Sequence, residues 1–392
     1  MNASNTTEHI RLWHNEFWLL ALSEFLLSMA VYMLLPTMPT WLTGSQNLSA
    51  MESGLVMGAF GLGLFVLGFL VSYLVQHYRR NIVCMLAIAA VAALLTLLYY
   101  LDSLRYQFVE FPVLLLIRFA MGAAFGLSQM VLCSTLIIDT CESPKRTAAN
   151  FAMGWFGRLA LGLGPLAGLL LHRYTDYSIV YLVAACCAAA SLMLLLLVDF
   201  PFRTPDDDVS VFCLDRFFLP HGTVLFMNLL LITIAFGLLL SLPLSVRFYV
   251  MMVCGLVVAL SCWRLVFREA ELKAEVVSGL ILFGAGVIMM LTRSTLPIVS
   301  YAAPLFFGLG MGLIGSRFLL FFIKLSRHCQ RGTSQSTFML GWESGIAIGI
   351  GMGLACFNGS SKMLLTASLV LVVCALIAYH FSHNWFMENK NR

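Results

Sequence analysis

Charge is scarce in this sequence: Asp, Glu, Lys and Arg make up 11% of its 392 residues, where a soluble globular chain carries about 25%. Such a chain cannot cover a water-facing surface, and with 60% of its residues hydrophobic its natural solvent is lipid. Segments of about ten residues with alternating polarity, the signature of a membrane β-barrel, are also missing. The apolar runs are helix-length instead. A helix pairs its backbone N–H and C=O groups within itself, as hydrocarbon demands.

Other absences narrow the chemistry. There is no phosphate-binding P-loop, which argues against ATP-driven work by this chain alone. The eleven cysteines form no C-x-x-C pair, and eight of them (Cys84, Cys133, Cys186, Cys187, Cys254, Cys262, Cys356 and Cys374) sit inside apolar runs. They read as small packing residues, so no disulfide framework, metal site or cofactor is expected. Gly341-Trp342-Glu343-Ser344-Gly345 is not a nucleophile elbow, and His172 and Asp176 lack the spacing of a catalytic pair, so an enzyme is not expected. A net charge of +4, spread over short loops, gives no nucleic-acid surface. The polar stretch Met1–Glu16 is followed by an apolar segment containing Glu24 and no small-residue cleavage site, which reads as a retained span rather than a signal peptide.

What is present is a series of apolar runs of about 18–25 residues. They predict helices near 17–40, 53–76, 81–101, 111–138, 145–171, 178–199, 222–242, 244–264, 275–292, 297–323, 333–357 and 362–383. The tightest division is Leu242-Pro243-Leu244-Ser245, where a short turn must separate two spans. On this layout one set of loops holds fifteen Lys and Arg residues and the opposite set five. That bias marks the richer side as cytoplasmic. Both termini are then cytoplasmic and the span count even, in an inner (plasma) membrane. The longest loop contains Pro201, Pro205 and the acidic run Asp206-Asp207-Asp208, and it divides the chain into 1–200, a linker at 201–221, and 222–392.

The two parts echo each other. Gly154-Trp155-Phe156-Gly157-Arg158-Leu159-Ala160-Leu161-Gly162-Leu163-Gly164 in the fifth span aligns with Gly341-Trp342-Glu343-Ser344-Gly345-Ile346-Ala347-Ile348-Gly349-Ile350-Gly351 in the eleventh. Phe119 and Gly122 align more weakly with Phe307 and Gly310. Similarity between the fifth and eleventh spans implies halves of the same orientation, related by an axis along the membrane normal.

With six plus six helices, a central linker and parallel repeats, the chain resembles the major facilitator superfamily over essentially its whole length. In the fourth span, Arg118-Phe119-Ala120-Met121-Gly122 with Gly126 looks like the family's arginine–glycine motif. The resemblance implies proton coupling or substrate gating there. In the fifth, Gly162, Gly164, Pro165 and Gly168 look like the glycine–proline motif frequent in drug or sugar exporters that exchange against protons. Physically, small residues four apart let helices approach closely, and Pro165 removes one backbone donor. The loop Ser72–Asn81 departs from the family pattern, with Gln76 and His77 where an Asp and an Arg are usual. The implied fold is an all-α membrane protein of twelve transmembrane helices in two parallel six-helix repeats.

Five charges fall well inside the spans: Glu24, Arg118, Arg158, Arg317 and Glu343. Each costs about 2.5–3.5 kcal/mol at mid-helix before any pairing, and such residues mark solute or ion pathways. Glu24, Ser28 and Tyr32 form one polar stripe at i, i+4 and i+8. Arg118, Gly122, Phe125 and Gln129 share a face of the fourth span, and Asn150, Gly154 and Arg158 one of the fifth, beside Trp155. Gln335, Met339, Trp342 and Glu343 share a face of the eleventh. A membrane carboxylate can load and release protons, so Glu24 and Glu343, with Arg118, are candidates for proton coupling. Arg158, Tyr32, Gln129, Asn150, Trp155, Gln335, Trp342 and Arg317 are candidates for the solute cavity. Arg118 and Arg158 serve equally well as static ion pairs, Trp155 and Trp342 as packing residues, and Arg317 can snorkel to the headgroups.

The expected activity is secondary active transport by alternating access, with proton-coupled efflux of a small organic solute. The expected partners are that solute, protons and the lipid bilayer, and a monomer is expected. A non-transporting membrane receptor or assembly factor on the same scaffold, and a polytopic membrane enzyme, are the alternatives.

Overall fold

The computed structural model describes residues 12–103, 109–142, 145–200, 210–265, 271–327, 330–357 and 360–390. The acidic run Asp206-Asp207-Asp208 lies outside the described residues. Eleven helices are long and apolar enough to cross a membrane: α1 (Asn15–Gly44), α2 (Ala50–His77), α3 (Arg80–Ser103), α4 (Phe111–Thr140), α5 (Arg146–Tyr174), α6 (Tyr177–Leu196), α7 (Pro220–Leu240), then α9 (Leu272–Arg293), α10 (Val299–Leu325), α11 (Arg331–Cys356) and α12 (Ser361–Asn389). Between α7 and α9 lies α8 (Val246–Leu265), apolar over Val246–Cys262. The turn at 241–245 separates α7 from α8, where Pro243 stops the helix. The predicted ends differ by a few residues, most at α12, which continues to Asn389.

Local chemistry sets several helix ends and irregularities. Ser49 starts α2 with a capping box: its Oγ accepts from the Glu52 N–H (3.2 Å), and the Glu52 carboxylate accepts from the Ser49 N–H (2.9 Å). Two orphan donors are satisfied together. Pro112 opens α4, where its missing N–H is harmless. The helix ladder of α1 is interrupted at Met33, just before Pro36 and Pro39. In α4 one turn, Leu132–Leu136, is π-helical, a distortion that recurs at functional sites.

Helix pairing repeats. In the first six helices α1 packs on α5 and α6, α2 on α4, and α3 on α4 and α6. In the last six α7 packs on α11 and α12, α8 on α10, and α9 on α10 and α12. Adding six to each member of the first set produces the second, which is a parallel repeat. The halves meet chiefly through α2 against α11 and α5 against α8.

The glycines of the sequence echo do not occupy equivalent places in this repeat. Gly162 faces Val253 and Leu256 of α8 in the other half, whereas its aligned partner Gly349 faces Gly237 and Leu238 of α7 in its own half. Gly164 and Gly168 face α1, and Gly351 faces Gly54 and Gly58 of α2. Likewise Gly122 lets α4 meet the Phe60 carbonyl of α2, and the residue with that role in α10 is Gly308, against the Met252 carbonyl of α8. Gly310 faces α9 instead. Glycine serves close approach on any face of a helix, so its recurrence follows packing need and not one strict register.

An even number of crossings leaves residues 12 and 390 at the same end of the bundle, the terminal face. There the segment before α7 straps the two halves together. The Cys213 N–H donates to the Phe69 carbonyl of α2 (3.1 Å), and the Phe217 ring lies 4.7 Å from that of Phe69. The Arg216 and Leu219 N–H groups donate to the Thr333 and Thr337 hydroxyls of α11 (2.9 and 2.8 Å). The Arg216 guanidinium reaches Thr135 of α4 (3.4 Å). Arg80 pairs with Asp139, joining α3 to the end of α4. At the opposite end, Gly54 and Gly58 of α2 lie against Gly351 and Ala355 of α11. Both ends are drawn together around the middle of the bundle.

Candidate functional site

The polar stripe of α1 points into the centre of the bundle. Glu24 is 3% exposed and accepts from the Ser28 hydroxyl (3.0 Å), which in turn accepts from the Gln129 amide of α4 (3.2 Å). The Cys133 thiol, in the π-helical turn, donates to the Gln129 carbonyl oxygen (3.4 Å). Oε2 of Glu24 is buried without a hydrogen-bond partner. Two turns beyond Glu24 along α1, the Tyr32 hydroxyl donates to the Glu343 carboxylate of α11. That bond crosses between the halves, from residue 32 to residue 343.

Three small cavities surround Glu343. The largest, about 30 Å³, also touches Glu24, Tyr32, Cys133, Arg158, Gln335 and Trp342, together with Met153, Phe338 and Met339. A second, about 10 Å³, lies toward Gln129 and Ser336, and a third, also about 10 Å³, toward Arg118, Tyr32 and Phe60. The largest has room for about two waters. In this conformation the centre is occluded, and a solute needs the halves to part.

Arg158 enters the largest cavity from α5. It is 2% exposed, and Nε, Nη1 and Nη2 are all buried without a hydrogen-bond partner. Its Cζ lies 4.5 Å from the Trp155 ring centroid, a cation–π contact that offsets part of the desolvation. Trp155 does not line this cavity. It packs with Ala259 and Leu313 of the other half, while Trp342 does line it. The two tryptophans of the sequence echo therefore have different jobs. Asn150 is buried with neither amide atom partnered, and it lines none of the three cavities. Arg118 is 1% exposed, with its Cζ 4.7 Å from the Phe60 ring and Nη1 3.4 Å from the Met121 sulfur. No carboxylate lies within ion-pair distance of Arg118 or Arg158 among the described residues, so neither is a static ion pair here.

Arg317 is different. It pairs with Glu275 of α9 and lines none of these cavities, so it neither snorkels nor faces the cavity as the sequence suggested. Glu275 is 0% exposed, and hydropathy does not single it out, because it falls where the apolar run of the ninth span begins. The available signal was its spacing from Gly279 and Phe283, which mark the buried face of α9. Cys133 was likewise legible only as packing, although it lies four residues from Gln129. Gly126 and Gly122 line α4 against α2, and Gly162, Gly164, Pro165 and Gly168 are buried packing residues of α5. His172 stacks on Tyr177 at 4.0 Å. Among the described residues no cluster of three His, Cys, Asp or Glu side chains is arranged to hold a metal ion.

A twelve-helix bundle with a parallel repeat and a polar centre between its halves is the setting for the sequence comparison. The profile of the Major Facilitator Superfamily matches residues 20–350. The chain belongs to this superfamily. Its fold matches the crystal structure of the human organic anion transporter MFSD10 (TETRAN), with a TM-score of 0.68 over 93% of this chain and 98% of that one at 15% identity. That likeness is one of fold. No curated protein matches the sequence. Membership of the superfamily makes the chain a multi-pass membrane transporter, with a small-molecule solute and a bilayer as its surroundings.

Proposed function

We propose that this transporter couples solute movement to protons, with Glu343 as the central proton site and Glu24 as its companion, while the halves 1–200 and 222–392 rock about the cavity between them. The observation that carries this reading is the Tyr32–Glu343 bond. A carboxylate bordering all three central cavities is tied to a phenol of the opposite half, so a change in its protonation changes a bond between the moving bodies. A protonated carboxyl is a weaker acceptor than a carboxylate, and the inter-half bond loosens on proton loading. The arginine–glycine stretch around Arg118 lies on the far side of the same carboxylate. The excess of Lys and Arg on the terminal face supports a cytoplasmic location for both ends.

The glycine–proline stretch at Gly162–Gly168 resembles that of exporters, but Gly162, Gly164 and Gly168 pack α5 on α8 and α1 and line none of the three central cavities. It favours efflux by resemblance alone. The test is flux in proteoliposomes, screened across organic acids, amines and neutral solutes with and without a proton gradient. Glu343→Gln and Glu24→Gln are expected to abolish gradient-driven accumulation while leaving solute exchange. Intact gradient-driven flux in both variants would remove the coupling assignment.

A further inference from the structure

Arg158 is a buried cation with nothing to hold. All three of its guanidinium nitrogens lack a hydrogen-bond partner although the residue is 2% exposed. The guanidinium fork is shaped to bind a carboxylate or a phosphate two-pronged, and Trp155 closes one side of it. The other side opens on a cavity whose remaining wall is mostly apolar, with Phe338, Met339 and Trp342, and with Gln335, whose own Oε1 is also unpartnered. A charged head beside an apolar wall fits an organic anion better than a bare inorganic ion.

Two carboxylates, Glu24 and Glu343, share that cavity. If both were ionised, an entering anion would make three negative charges in a cavity whose own wall carries one guanidinium, with Arg118 facing Glu343 only from the third cavity, in a medium where like charges repel strongly. Protonation removes the conflict. The other titratable and charged groups around the pair are Tyr32 on α1, Arg118 and Cys133 on α4, and Cys84 of α3, which feels Glu24. Beyond Arg158, Glu275 of α9 acts on it electrostatically but is engaged by Arg317 of α10. None of these supplies a second free cation to the cavity wall.

We propose that the solute is an organic monoanion held by Arg158, and that it binds together with protons on Glu24 and Glu343, so that anion and proton cross in the same direction. This rests on the transporter reading above and reverses the efflux direction that resemblance favours, since a proton gradient directed inward then drives uptake.

The test uses the purified full-length chain in detergent and reads thermal stabilisation and tryptophan fluorescence. The probes are benzoate and cyclohexanecarboxylate, their carboxamides, the matching amines, and chloride and phosphate as inorganic controls. The carboxylates are expected to bind and the amides and amines to fail. Affinity is expected to tighten by up to about tenfold per pH unit per proton between about pH 8 and pH 6, because binding takes up protons. Arg158→Gln is expected to weaken binding by about 10- to 100-fold, with Arg158→Lys in between. The comparison of carboxylate with carboxamide on the unaltered protein needs no variant to fold. Amides or amines binding as tightly as carboxylates, binding by the inorganic ions alone, or no binding by any probe overturns the anion site. Affinity that is flat or falls on acidification overturns the joint binding of protons. Flux of amines or neutral solutes in proteoliposomes sinks this proposal and leaves the transporter reading intact, whereas no flux in any class sinks that reading.

Discussion

Replacing Arg317 by Met strands a carboxylate inside the protein. Glu275 is 0% exposed and Arg317 7% exposed, so the pair is desolvated on its acidic side almost completely. Removing one partner of such a pair costs about 3–5 kcal/mol, because the remaining charge is left buried and uncompensated. Glu275→Leu should cost less, since Arg317 retains some exposure and its long stem can shift toward water. The double variant Glu275→Leu, Arg317→Met removes both charges and keeps the volume, and apolar replacement of a buried pair is often neutral. The double variant is therefore expected close to the parent, with a coupling energy between the two sites at least as large as the cost of about 3–5 kcal/mol for Arg317→Met alone. The assay is thermal unfolding of the purified protein in detergent, followed by tryptophan fluorescence, on all four members of the cycle. Flux should survive in the double variant, because Arg317 lines none of the central cavities. An Arg317→Met variant as stable as the parent would refute the argument, and so would a double variant destabilised by the sum of the singles.

Two further outcomes follow from the closed centre. Tyr32→Phe removes the donor that ties Glu343 to the other half, which should cost about 1–3 kcal/mol of closed conformer. Because Cys133 borders the same cavity, its alkylation by a maleimide, located by mass spectrometry, should accelerate by about 5- to 150-fold; an unchanged rate would mean that the bond does not hold the halves. Gly351→Val places a branched side chain against Gly54 and Gly58 of α2, and overpacking of this kind costs about 1–3 kcal/mol. It should hold that end of the bundle apart, read as faster labelling of a single cysteine introduced at Ala355, and equal rates in parent and variant would remove the assignment of that contact as the closing one.

The amino-acid sequence by itself determined the solvent, the helices and their number. Scarce charge and helix-length apolar runs leave no other structure able to satisfy a backbone in hydrocarbon, and Pro243 marks the one division that hydropathy leaves ambiguous. It also singled out Glu24, Tyr32, Gln129, Arg158, Gln335, Trp342 and Glu343, because a polar group in a membrane helix is expensive wherever it lies. The tertiary structure alone decided which of these meet. Helical periodicity says which residues of one helix share a face, but not which way that face turns nor what stands opposite. So Tyr32 finds Glu343 across 311 residues, Arg317 finds an unsuspected Glu275, and Arg158 finds the Trp155 ring but no hydrogen-bond partner among the described residues. The glycine–tryptophan echo correctly implied parallel halves, yet Trp155 and Trp342 part company in space. A glycine or a tryptophan fills whichever contact the neighbouring helix offers, and that neighbour is chosen by packing.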